Sequence, residues 1–223
     1  MGLTEGHQAK TVWENPAEIV RSLRPENPVL VFAPTVLQDR ARQFLAGFPG
    51  LVTYAVKSNP DEAVITNLVA AGIRGFDVAS PYEIDLITRL APQAARHYHN
   101  PVRSTAEIAH AVAAGIKAWS VDSRSELDKL FAQVPTEGCE ISPRFKLPVV
   151  GAAYDFGSKF GGTPELTAEL LREVAARGYI ASLTFPPGTQ CVDPGAWEHY
   201  IRTARDIADL AGVMPKRLNV GGG

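Results

Sequence analysis

The sequence predicts an α/β domain built on a parallel sheet, and three observations carry that reading. Short apolar runs alternate with amphipathic helical stretches along most of the 223 residues. Most of the runs are near-continuous rather than alternating, as strands covered on both faces read. The punctuation also repeats: a Ser with Glu three residues later follows a run, and a Gly closes the helical stretch before the next one. Each crossover helix returns the chain to the same direction, so the series forms a parallel sheet, either open and doubly wound or closed as a (β/α) barrel. In both, ligands sit at the carboxyl ends of the strands.

Residues 1–28 form a polar leader with a short structured region around 13–23, and residues 29–223 form the repeating domain. The expected strands are 29–33, 51–56, 75–79, 96–99, 118–122, 141–146, 180–185 and 217–220. Ser80-Pro81-Tyr82-Glu83 supplies an N-cap, a proline at the first helical position and the acidic partner; Ser104 with Glu107 and Ser123 with Glu126 repeat the spacing. Gly72, Gly115, Gly178 and Gly212 stand where a helix must turn back through a left-handed residue. No linker or low-complexity tract divides the domain.

Composition narrows the function classes. With 45% hydrophobic and 21% charged residues the chain can bury a substantial core. A net charge of −2 supplies no basic excess for nucleic acid or an anionic membrane surface. No apolar run reaches the roughly 18 residues of a membrane span, and the first ten residues lack a signal-peptide pattern. Cys139 and Cys191 are too few for a disulfide framework and lack zinc spacing, so a reducing cytoplasm is expected and no metal.

The strand ends collect polar residues: Lys57-Ser58-Asn59, Asp77 with Ser80, His97, His99 and Asn100, Asp122, Arg144 with Lys146, Gly188-Thr189, and Gly221-Gly222-Gly223. A lysine ending an apolar strand is expected to face a desolvated pocket, which favours the neutral, nucleophilic amine that Schiff-base formation requires. Three glycines after a strand let backbone amides approach a phosphate, and Thr189 adds a hydroxyl. A sugar phosphate or nucleotide fits the phosphate part equally well. Of His97 and His99, at least one is expected to pack against a helix rather than face the interior.

These residues resemble the fold-type III pyridoxal-phosphate decarboxylases of ornithine, diaminopimelate and arginine, with alanine racemase as a barrel relative. The resemblance runs through 54–59 (Tyr-Ala-Val-Lys-Ser-Asn), 75–80 with Glu83, His99-Asn100-Pro101, 121–123 with Glu126, Arg144-Phe145-Lys146, 158–161, 185–189 and 219–223. It implies the alanine racemase/ornithine decarboxylase barrel, about seven of its eight strands, without the C-terminal β-domain to which residues 29–33 would belong. It implies pyridoxal 5'-phosphate on Lys57, with Asp77, Glu83 and Arg144 as catalytic residues and Arg144, Thr189, Gly221, Gly222 and Gly223 holding the cofactor. It further implies a small amino-acid substrate and a homodimeric full-length form.

The sequence departs from that pattern. Pro186 stands where the family has a histidine stacked on the cofactor ring, and no Glu-Pro-Gly-Arg segment occurs in these residues. The family's proton-donating cysteine and substrate-contacting aspartate belong to the absent domain, and neither Cys139 nor Cys191 takes their place. Three readings stay open: a decarboxylase barrel inactive alone, a catalytically impaired relative that binds a partner, and a racemase. Glu83 serves either beside the cofactor or as the capping partner of Ser80, and Asp77 either faces the cofactor or braces its strand.

Overall fold

The computed structural model describes residues 12–147, 160–188 and 191–222. Two helices lead, α1 (Pro16–Leu23) and α2 (Pro34–Gly47), and the alternation then begins. It runs β1 (Thr53–Ala55), α3 (Glu62–Ala71), β2 (Gly75–Val78), α4 (Pro81–Leu90), β3 (Ala95–Tyr98), α5 (Thr105–Ala113) and β4 (Ala118–Val121). There follow α6 (Arg124–Gln133), β5 (Glu140–Pro143), α7 (Pro164–Ala176), β6 (Ile180–Ala181), β7 (Leu183–Thr184), α8 (Pro194–Ala211) and β8 (Leu218–Asn219).

Every strand pairing is parallel and in chain order, β1 to β6 in one sheet and β7 with β8 in a second. β6 and β7 are one segment interrupted at Ser182, where the chain changes partner. Ser182 N donates to Ile141 O on one side, and Ser182 Oγ accepts from Arg217 N on the other. An Arg144–Thr184 bridge joins the two sheets, giving seven strand positions in the expected order. Among the described residues β1 and β8 do not pair, so the barrel wall has two edges.

The first expected strand is a correction. Residues 29–33 form no strand, and Leu30 is 98% exposed. An apolar run becomes a strand only when a sheet edge takes up its backbone groups, and residues 29–33 pair with neither open edge.

The helix starts are locally encoded, with differences in detail. Ser104 and Glu107 make the full capping box. Ser80 Oγ accepts from Glu83 N at 3.3 Å, but the Glu83 carboxylate reaches one residue further back, to Ala79 N at 2.8 Å. Ser123 occupies its N-cap without a capping bond; its hydroxyl faces Ser125 Oγ, while Glu126 is turned to Arg103 N and Lys129 Nζ.

Outward-facing strand residues form the core beneath the helices: Phe76, Tyr98, Trp119, Val121 and Ile141 are all fully buried. The register sets Ala55, Asp77, His97, Ala118 and Glu140 on one rung facing the other way. That rung is polar, and Arg217, just before β8, completes it by pairing with Glu140 and lying 3.1 Å from His97 Nε2.

Candidate active site

The carboxyl ends of the strands surround one cleft of about 640 Å³. Lys57 enters it from a 3-10 turn (Val56–Ser58) that follows β1 directly and is anchored by the fully buried Val56. The lysine itself is exposed, which corrects the expectation of a desolvated pocket. The turn lifts it to the rim of an open cleft, so any desolvation must come from what fills the space.

Asp77, at the end of β2, lines the same cleft. Its Oδ1 lies 3.5 Å from His97 Nδ1 and 3.6 Å from His99 Nδ1, beyond good hydrogen-bond length, and has no bonding partner among the described residues. Burial pushes the Asp77 carboxyl up, but His97, His99 and Thr53 together outweigh it and hold it below its ordinary range. His97 and His99 both face Asp77, with ring centroids 5.3 Å apart, against the expectation that one would pack on a helix. Residues two apart in a strand share a face, so their spacing places them together.

Their partners fix their protons. Arg217 can only donate, so His97 Nε2 accepts and Nδ1 carries the hydrogen toward Asp77. Asn219 Oδ1 accepts from Gly221 N at 2.9 Å, which identifies its Nδ2 as the donor 3.0 Å from His99 Nδ1. His99 therefore carries its hydrogen on Nε2. The ligating atoms of Asp77, His97 and His99 lie within 4.8 Å of one another, close enough for a metal ion, but a protonated Nδ1 on His97 has no lone pair to give it.

Glu83 lies behind the cleft wall, buried at the β2–α4 turn. Burial raises its carboxyl, opposed by the Ala79 N–H and by the charge of Lys57. It thus braces the turn through Ala79 N and feels the charge of Lys57 without lining the cleft itself. Arg144 lines the cleft; burial lowers its pKa against the pull of Asp122 and Tyr200, and its Nε has no bonding partner among the described residues. Gly221 and Gly222 line the far wall. Thr189, Gly223 and the first two residues of the 158–161 block, Ser158 and Lys159, lie outside the described residues.

Gly221 shows why that wall is glycine. Its φ is +63°, and a Cβ there would meet Phe185 O at 2.4 Å. The backbone of the last strand thus lies against the end of β7 with its amides near the cleft. A concave site with a rim lysine, a close-approach glycine backbone and two unpartnered polar groups, Asp77 Oδ1 and Arg144 Nε, fits an aldehyde-bearing phosphate ester such as pyridoxal phosphate.

Other site residues were not legible beforehand. Tyr200, from α8, lines the cleft, stacks on Phe185 at 4.7 Å and accepts from Leu147 N. Nothing in an amphipathic helix distinguishes that tyrosine from a core one. Arg103 is buried beside Tyr98 and Trp119 and donates to Tyr98 O, Pro101 O and Ser120 O, tying down the loop that carries His99 and Asn100.

Residues 35–223 match the family model of the pyridoxal-dependent decarboxylase, pyridoxal binding domain. Ornithine decarboxylase of Panagrellus redivivus is 31% identical over 204 residues, covering 89% of this chain and 46% of that protein. The chain thus spans about half the length of the curated relatives it matches. Lysine decarboxylase from Selenomonas ruminantium superposes with a TM-score of 0.80 at 26% identity, over 96% of this chain and 57% of that one. The arginine decarboxylase of Paramecium bursaria Chlorella virus shares the fold, with a TM-score of 0.82 at 24% identity, over 93% of this chain and 57% of that one. The chain belongs to the pyridoxal-dependent decarboxylase family, and its parallel barrel is that family's pyridoxal-binding domain.

Proposed function

We propose that this chain is the barrel part of a decarboxylase acting on a basic amino acid of the ornithine, lysine, arginine or diaminopimelate class. The observation that carries this reading is the placement of Lys57 at the rim of the cleft whose walls include Asp77, Arg144 and the Gly221-Gly222 backbone. The names of the relatives, decarboxylases of ornithine, lysine and arginine, support the substrate class.

When bound, pyridoxal phosphate supplies an aldehyde that links to amines and a conjugated ring that takes up the electrons left when a carboxylate departs. Lys57 would hold the aldehyde end through its amine. The amide of Gly222, with Thr189 and Gly223, would take the phosphate, and Gly221, whose own amide is held by Asn219, would keep that wall clear of a side chain. Asp77 places a negative charge inside the cleft, and Arg144 would lend the bound cofactor a cation. Glu83 sits behind the wall, where the charge of Lys57 favours its ionised form against burial.

Pro186 lines the cleft and supplies neither an aromatic face nor an N–H, which favours a second reading, a relative that binds cofactor but turns over slowly. Among enzymatic alternatives, racemisation shares the barrel and the cofactor. A cytoplasmic, homodimeric full-length form completes the proposal.

Protein incubated with pyridoxal phosphate is expected to develop a visible absorption band that Lys57→Ala abolishes. A band that survives the substitution, or none in the wild type, sinks the cofactor assignment. Carbon dioxide release from the four candidate amino acids tests turnover. We expect little from these residues alone, and robust release would overturn the slow-turnover reading.

A further inference from the structure

We propose that His99 is the hydrogen-bond donor that this cleft presents to bound pyridoxal phosphate, in place of any side chain from the 185–188 loop. The inference rests on the cofactor reading above.

The loop after β7 contributes Phe185, Pro186 and Gly188 to the cleft, none with a side-chain hydrogen-bonding group. The end of β3 lies across the same space and contributes His99, Asn100 and Pro101. Of these, Asn100 is turned away, its amide directed at Ala79 O. His99 is held by a different arrangement: Asn219, committed through its oxygen to Gly221 N, donates to Nδ1. The imidazole N–H is thereby forced onto Nε2. No described residue accepts from that Nε2.

Burial keeps the ring neutral, with its pKa pushed down to about 4, so near neutral pH it offers a donor without a charge. Asp77 cannot use that hydrogen, since its Oδ1 faces the other nitrogen, 3.6 Å from Nδ1. An oriented neutral donor beside an unpartnered carboxylate oxygen is the hydrogen-bonding pattern for a ligand that offers both an acceptor and a protonated group. Pyridoxal phosphate has acceptors in its 3-hydroxyl oxygen and phosphate and a protonatable ring nitrogen. The same Asn219 also fixes the glycine backbone, so one side chain sets both the tautomer and the wall opposite.

The test is a titration of wild type, His99→Leu and His99→Gln with pyridoxal phosphate, followed by the Lys57-dependent band and by quenching of intrinsic fluorescence. Leucine removes the donor and fills the space; glutamine restores an N–H near the position of Nε2. Loss of one buried hydrogen bond is expected to raise the dissociation constant about tenfold in His99→Leu, with recovery to within about threefold in His99→Gln. The band maximum of His99→Leu is expected to differ from wild type. Equal affinity and an unshifted band in His99→Leu would overturn the proposal, as would a glutamine variant no better than leucine.

Should the leucine variant fail to fold, long-range 15N spectra of the wild type read the same point. His99 is expected as the Nε2–H tautomer, with its Nε2 resonance moving when pyridoxal phosphate is added. An Nδ1–H tautomer, or a resonance unmoved by saturating cofactor, refutes it. Absence of any Lys57-dependent band in the wild type is a different outcome, which removes the cofactor reading itself.

Discussion

Replacing Gly221 with alanine tests whether the glycine wall belongs to the cofactor site. At φ +63° an L-residue carries a backbone strain of about 1–2 kcal/mol. The new Cβ would sit 2.4 Å from Phe185 O, so the strand end must retreat by about 1 Å to reach ordinary contact. A displacement of that size at groups meant to hold a phosphate is expected to weaken pyridoxal phosphate binding by tenfold or more, about 1.4 kcal/mol at the least. Gly138 is a matched control. Its φ is +66°, a Cβ there meets nothing within 4 Å, and it precedes β5 at the opposite end of the strands from the cleft. Gly138→Ala should share the backbone strain and lower the Tm by about 2–8 °C while leaving cofactor affinity intact. Affinity is read by titrating the visible band and stability by thermal melting. Gly221→Ala binding within about twofold of wild type, or Gly138→Ala weakening the cofactor equally, would refute the placement of that backbone at the site.

The remaining expectations concern the supports of the site. Burial, with the charges of His97 and Arg217 and against those of Asp77 and Glu140, pushes His99 down to about 4 in the folded chain from an ordinary 6.5. The unfolded chain therefore binds more protons between those values, and stability falls as pH drops from about 6.5 to about 4, then levels for this group. The loss from pH 7.5 to 4.5 is about 2–3 kcal/mol, and urea denaturation of His99→Gln should lack it; an unchanged pH dependence would show that His99 is not the group responsible. Arg103→Met leaves three carbonyls without their buried donor and Glu126 with one cation fewer, for a loss of about 3 kcal/mol or more and a Tm drop of about 6–12 °C; a melt within about 2 °C of wild type contradicts this. Ser104→Ala should cost about 1 kcal/mol and Ser123→Ala almost nothing, since only the first makes its capping bond, and chemical denaturation that ranks them equally argues against that difference.

The order of strands and helices is encoded locally, because cap chemistry and apolar runs act within a few residues and need no distant partner. Ser104, Gly72 and Gly212 behave as their local chemistry dictates. Which residues reach the strand ends is encoded too, since a parallel series brings Lys57, Asp77, Arg144 and Gly221 to one side whatever the details. Features that depend on residues far apart in the chain emerge only on folding. The run 29–33 is apolar enough for a strand and is none, because a strand is made by its neighbour's backbone. Glu126 leaves its capping partner for Arg103, 23 positions away. The protons of His97 and His99 are set by Arg217 and Asn219, each 120 residues distant, and no local pattern encodes a contact across the barrel. Lys57 shows both: its motif and strand-end position are written in sequence, while its exposure at the rim follows from the turn and the open cleft around it.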